Sequence, residues 1–137
     1  MAQVIDASVA IAWCAQSQAS PLTHAALAVV AESGAHVPSP FWYEVLHGLS
    51  GLELRKIVRR ADIDGFLADA AQLNLAVDQL CSTAEMIELH RLAQRYSMSI
   101  FDVSYLELAL RLELPLATRD AALARAATRA GASLFSA

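Results

Sequence analysis

A three-layer α/β fold, with helices on both faces of a short parallel sheet of about five strands, is predicted by three features of this 137-residue chain. Short apolar runs suited to buried strands alternate with longer stretches of helical spacing from one end to the other. Helix-start signals at Ser20-Pro21, Ser82 and Ser99 fall where that spacing changes. An apolar fraction of 56% is ample for a core covered on both sides, so one domain over residues 1–137 is expected.

The elements follow in order. Val4-Ile5 reads as a short buried strand, and the stretches Ser8 to Cys14 and Leu22 to Ala31 carry helical spacing. Gly34 stops the second helix, Ala35-His36-Val37 is another strand, and a helix runs from Phe41 to about Leu49 with Ser39 as its cap and Pro40 in its first turn. Arg55 to Leu73 is helical and broken near Asp62-Ile63-Asp64-Gly65. Leu75-Ala76-Val77 is a third strand, and helices run from Ser82 to Tyr96 and from Ser99 to Leu112. Leu116-Ala117 and Ser133-Leu134 supply the last strands around a helix from Ala121 to Ala130.

Composition narrows the function. No uninterrupted run of about eighteen apolar residues exists, and no basic stretch followed by an apolar core opens the chain, so a cytoplasmic protein is expected. Cys14 and Cys81 lack the close Cys/His pairing of a zinc site and read as reduced core thiols. A formal charge of -4 argues against a protein that coats nucleic acid through bulk positive field. It leaves room for a nuclease, because acids around a metal account for the excess and nine of the ten basic residues are Arg, suited to bidentate phosphate contact.

The acids are placed suggestively. Asp6 closes the first strand and Asp120 follows the strand at Leu116-Ala117, so both stand at strand-to-helix corners. In an open parallel sheet the ligand crevice lies at the carboxyl ends of the strands, where such residues face one another. Capping alone also explains Asp6 and Asp120, and Ser99 with Asp102 makes a loose capping box. Glu44 resists that explanation, because with Ser39 as cap it lies beyond the first turn among Phe41, Trp42, Tyr43, Val45 and Leu46. A carboxylate left unpaired there carries a desolvation cost of several kcal/mol. Its partner is then either an arginine or a metal shared with the other acids, and the metal is the reading adopted. Oxygen donors of this kind suit Mg²⁺ or Mn²⁺.

The surrounding residues form four ordered motifs: Val4-Ile5-Asp6-Ala7-Ser8-Val9, Pro40 through Leu49 around Glu44, Ile100 through Ala109 around Asp102, and Leu116 through Leu123 around Asp120. Over essentially the whole chain they resemble the PIN-domain family, and within it the VapC-type toxins. The resemblance implies a PIN-like, Rossmann-like fold and a Mg²⁺- or Mn²⁺-dependent endoribonuclease in which Asp6, Glu44, Asp102 and Asp120 are both metal ligands and catalytic residues. It further implies the toxin of a type II toxin–antitoxin pair, with RNA as substrate, a VapB-type antitoxin as partner and a homodimer as the assembly. Two positions depart from the family pattern: His47 stands where Asn is usual, and Phe101 where Tyr is common before the third acid. Neither is a ligand.

Other residues extend the site. Ser8 and Thr118 adjoin the acids and can hydrogen-bond a ligand carboxylate, a water or substrate, while Arg119 at the mouth is a phosphate contact. His47, three residues after Glu44, is a further candidate substrate contact. Arg55, Lys56, Arg59 and Arg60 are expected on about one and a half helical turns, either gripping phosphates or forming a solvated face beside Asp62 and Asp64. Trp13, Leu22, Phe41, Trp42 and Leu46 serve as core or as a groove for an antitoxin helix. The competing functional classes are an aspartate phosphotransferase, disfavoured by Ser at position 8 where a second Asp is needed, and a catalytically inactive PIN-like or receiver-like interaction module.

Overall fold

The computed structural model describes residues 2–137. Its sheet has four parallel strands in the order β3-β2-β1-β4, formed by β1 (Gln3–Ile5), β2 (Ala35–Pro38), β3 (Leu75–Asp78) and β4 (Leu116–Ala117). The chain steps outward from β1 to β2 to β3 and then crosses to the other side of β1 for β4. That reversal puts a topological switch point between the carboxyl ends of β1 and β4, where open α/β sheets place their ligands. The register pairs Ile5 with Ala117, so the residues after them emerge side by side.

The expected fifth strand at Ser133-Leu134 contracts to a single parallel bridge between Leu116 and Leu134. β4 itself is only two residues long, which gives a neighbour little edge to pair with.

Helices flank the sheet in two groups. α1 (Ala7–Cys14) packs on α2 (Pro21–Ser33), on α3 (Phe41–Leu54) and on α4 (Arg60–Ala70). On the other side of the chain's contacts, α6 (Ile100–Leu112) lies against β1, β2 and β4, with α5 (Thr83–Tyr96) and α7 (Ala121–Ala130) beside it. Val4, Ile5, Val37 and Leu116 are fully buried in the sheet, and Phe41, Val45, Tyr105, Leu106 and Leu123 bring the helices onto it. Burial on this pattern is the main favourable term, each large apolar side chain contributing about 1.5–3 kcal/mol.

Caps explain most helix starts. Ser20 accepts from the Thr23 amide in a full capping box with Pro21 in the first turn, and Ser82 and Ser99 accept from the amides of Glu85 and Asp102. α3 departs from expectation: Pro40 is its N-cap and no side chain caps it. Ser39 instead ties the end of β3, its Oγ donating to the Asp78 carbonyl at 2.7 Å and accepting the Leu80 amide at 3.1 Å.

α3 also continues through Gly48 and Gly51 to Leu54, past the expected end at Leu49. Gly48 is there for closeness, because a Cβ at that position would stand 2.5 Å from Ile11 Cδ1 of α1. The helical break expected near Asp62 to Gly65 falls earlier. Residues 55–59 turn the chain, and α4 runs unbroken through Gly65, held at its start by Asp62 accepting from the Arg59 amide at 3.0 Å. Among the described residues no helix is long and apolar enough to cross a membrane.

Candidate active site

Asp6 lies directly after β1, its amide donating to the Ala117 carbonyl of β4 at 2.9 Å. It is the N-cap residue of α1, yet its side chain makes no cap hydrogen bond. One carboxylate oxygen, Oδ2, instead accepts from Ser8 Oγ at 2.7 Å and from Thr118 Oγ1 at 2.8 Å. Both hydroxyls are themselves oriented, because Ser8 Oγ accepts the Arg119 amide and Thr118 Oγ1 accepts the Asp120 amide, each at 3.0 Å. Each hydroxyl thus takes a backbone proton and gives its own to Asp6. The β1–α1 and β4–α7 corners are thereby locked around one carboxylate that is only 7% exposed.

The other acids stand at the starts of three further helices. Asp120 caps α7, its Oδ1 accepting from the amides of Ala122 at 2.9 Å and Leu123 at 3.3 Å, while Oδ2 has no donor among the described residues. Asp102 sits in the first turn of α6 under the Ser99 cap. Glu44 lies in the first turn of α3, not beyond it, because Pro40 and not Ser39 begins that helix. Its hydrogen-bond partner among the described residues is not an arginine: Tyr105 donates its hydroxyl to Glu44 Oε1 at 2.7 Å. Tyr105 is fully buried on α6, one turn after Asp102.

Electrostatics tie the acids into one group. Burial pushes the Asp6 carboxyl above its ordinary range, the Ser8 and Thr118 hydrogen bonds pull it back, and repulsion from Asp102 and Asp120 raises it further. Burial likewise raises Glu44, opposed by the Tyr105 hydrogen bond and reinforced by Asp6 and Asp102. Asp102 and Asp120 act on Asp6, and Asp6 and Asp102 on Glu44, as like charges. The Tyr105 hydroxyl is held far above its ordinary range by burial and by Glu44, so it stays a proton donor.

A hard divalent cation suits this donor set chemically, since the atoms are carboxylate oxygens and at least one on each acid has no donor among the described residues. Among the described residues, however, no three His, Cys, Asp or Glu side chains stand close enough to form a finished metal cage.

The remaining predicted residues divide. Arg119 is exposed beside Asp120, with its guanidinium donating to Gln18 Oε1 at 2.7 Å. His47 is exposed on α3. The four basic residues do not share a helical face: Arg55 and Lys56 lie in the turn after α3, Arg59 pairs with Asp62 at 3.2 Å, and Arg60 reaches Glu53 at 4.0 Å. Cys81 is no core thiol but an exposed residue in the loop before α5, while Cys14 is half-buried. Of the apolar set, Phe41 is core, Trp42 packs edge-on to it with centroids 4.9 Å apart, and Leu46 is exposed. Trp13 lines a separate cleft with Ile57, Val58 and Phe66.

Tyr105 was legible only as an apolar-helix tyrosine; its position one turn after Asp102 is the signal that relates it to the site. Residues 4–129 match the family model described as PIN domain. A comparison with curated proteins gave no match.

Proposed function

The chain belongs to the PIN-domain family, a family of nucleases, and on that premise we propose that it is a Mg²⁺- or Mn²⁺-dependent endoribonuclease acting as the toxin of a type II toxin–antitoxin pair. The observation that carries this reading is Asp6. It is a buried carboxylate at the switch point of the sheet, held by two oriented hydroxyls and repelled by Asp102 and Asp120. Leaving like charges together in a site of low polarity is costly unless a cation joins them.

In this reading Asp6, Glu44, Asp102 and Asp120 hold the metal, which would neutralise the scissile phosphodiester and lower the pKa of an attacking water. The protein's own contribution is placement. Ser8 and Thr118 fix the orientation of Asp6, Tyr105 fixes Glu44, and the α7 cap leaves one Asp120 oxygen turned away from the helix. Arg119 at the mouth and exposed His47 are the substrate contacts, and exchange of the Gln18 bond for a phosphate leaves the Arg119 guanidinium its charge-assisted role.

One rival is a PIN-like scaffold that binds partners without cleaving; among the described residues no three acids stand together as a finished cage. A labelled-RNA assay with Mg²⁺, with Mn²⁺ and with EDTA separates the two: metal-dependent cleavage supports the nuclease, and its absence across RNA classes supports the scaffold. For the regulatory role, residues 1–137 form one domain and one copy of a homodimer. A VapB-type antitoxin would lay an apolar helix near Trp13 and Trp42 and direct a basic side chain at the acids. Controlled expression with mapping of new RNA 5′ ends tests activity and target together. Relief of inhibition by Trp42→Glu tests the antitoxin contact.

A further inference from the structure

Acids outnumber cations by 14 to 10 in this chain, so partners for an arginine are in excess. The ion pairs among the described residues engage Arg59, Arg60, Arg91 and Arg111, and Arg119 is bound to Gln18. Arg95, Arg125 and Arg129 are all exposed, and none of them enters such a pair. They nevertheless gather. Arg95 in the last turn of α5 and Arg129 in the last turn of α7 stand 5.6 and 5.5 Å from the centre of the same ring, Tyr96. Arg125 precedes Arg129 by one turn of α7, and the two line one shallow hollow with Thr128.

Helix ends account for part of this, since carbonyls in a last turn favour a cation there. They explain Arg95 and Arg129 singly, but neither Arg125 nor the meeting of like charges from two helices on one ring, which repel until an anion joins them. Tyr96 is half-buried and packed against the apolar core, so it is a fixed platform. A guanidinium held over a ring by its charge is ordered while its N–H donors stay unspent, whereas one held by a carboxylate has spent them. Two such forks on one ring suit phosphate oxygens. Their place suits a nucleic acid strand: α7 begins at Asp120, and Arg129 lies about 14 Å from it along the axis at about 1.5 Å per residue, a span of a few nucleotides. The acids themselves repel phosphate until a metal joins them, so a grip on the strand has to come from outside their cluster.

We propose that Arg95, Arg125 and Arg129 form a phosphate clamp, set on Tyr96, that holds the RNA strand flanking the scissile bond. The clamp takes backbone phosphate and touches no base edge, so it supplies affinity without sequence preference. The assignment rests on the nuclease reading for its substrate, and the experiment distinguishes failure of the two.

Fluorescence anisotropy of labelled single-stranded RNA of mixed sequence is measured with the full chain in EDTA over a range of salt, and cleavage of the same RNA is followed in Mg²⁺. Wild-type binding should weaken steeply with salt. The chain carrying Arg95→Gln, Arg125→Gln and Arg129→Gln should lose about two from the slope of log affinity against log salt, at about 0.7 for each phosphate contact on a single strand. All three side chains are exposed, so that variant should melt close to wild type. Tyr96→Leu keeps the charges and removes the platform, and it should weaken binding by about 3- to 10-fold with the slope retained; wild-type affinity there would take Tyr96 out of the clamp. An equal fall in slope in a chain carrying Arg55→Gln, Lys56→Gln and Arg60→Gln would make bulk charge responsible and overturn the proposal. So would RNA binding that the patch variant leaves intact while its affinity for phosphatidylglycerol vesicles falls, which would give the patch to a membrane. Patch-dependent RNA binding by a wild-type chain that never cleaves would keep the clamp and remove the nuclease reading. Cleavage by wild type with an unchanged slope in the patch variant would do the reverse.

Discussion

Replacing Thr118 by Val probes the lock around Asp6 while preserving the shape of the side chain. Thr118 is buried, donates to Asp6 Oδ2 at 2.8 Å and accepts the Asp120 amide at 3.0 Å. The variant loses a hydrogen bond to a charged group, about 1.5–3 kcal/mol, and strands an amide, which adds to the cost. Asp6 recovers part of this by taking up a proton more readily, since one of the two bonds that oppose its burial is gone. A net loss of about 2–3 kcal/mol is expected, or roughly 6–15 °C in Tm for a chain of this size. Metal affinity should fall by about 10–100-fold, because the hydroxyl orients a candidate ligand. Thermal unfolding in EDTA and calorimetric titration of Mn²⁺ measure the two effects, and Thr118→Ser, which keeps the hydroxyl, should restore both. A Thr118→Val chain that melts and binds Mn²⁺ like wild type would refute the hydroxyl's role.

Tyr105→Phe removes the donor to Glu44, so stability in EDTA should fall by roughly 1–2 kcal/mol, read as a lower Tm, with the acid limb of the cleavage pH profile moving upward; an unmoved limb would detach Glu44 from catalysis. Asp6, Glu44 and Glu107 are all raised above their ordinary values, chiefly by burial. Each therefore contributes stability that is full below the unfolded value and lost as pH rises through the folded one. The metal-free chain should melt higher at about pH 5 than at about pH 7, and Mg²⁺ should shrink that difference by favouring the ionised acids; a higher Tm at neutral pH in EDTA would contradict the burial argument. Arg119→Ala should weaken RNA binding and reduce its salt slope by about one, with a smaller effect on cleavage at saturating RNA. An identical slope would show that Arg119 stays with Gln18.

The parallel α/β plan was readable because the chain's strands are short, those at the centre of the sheet are buried, and most of the helices between them start at a capping side chain. Ser20, Ser82, Ser99 and Asp120 all cap as their positions suggest. Where the reading failed, a distant residue had intervened. Ser39 was drawn off the α3 start by β3, forty residues on in register with β2, and the change moved Glu44 into the first turn. The Asp62 to Gly65 segment looked like a break from its composition, but Asp62 caps α4 through Arg59 and the glycine is carried by the helix. At the site, the acids are visible as corner residues, whereas Tyr105 is not: its hydroxyl finds Glu44 across α3 and α6, a pairing with no local period. The role of Thr118 was visible as adjacency alone; its orientation by the Asp120 amide depends on the turn after β4.

Titration of Mn²⁺ into the wild-type chain and its Asp102→Asn variant, followed by labelled-RNA cleavage on the same samples, tests most directly whether the acids act together through a metal. Asp102 accepts no hydrogen bond on its side chain among the described residues, so the change removes charge without dismantling packing. Wild type should bind Mn²⁺ and cut RNA, and the variant should lose both while melting at the same temperature or higher, because repulsion on Asp6 and Glu44 is relieved. A variant that cuts at the wild-type rate in Mg²⁺ would contradict the assignment of these carboxylates as a shared metal site.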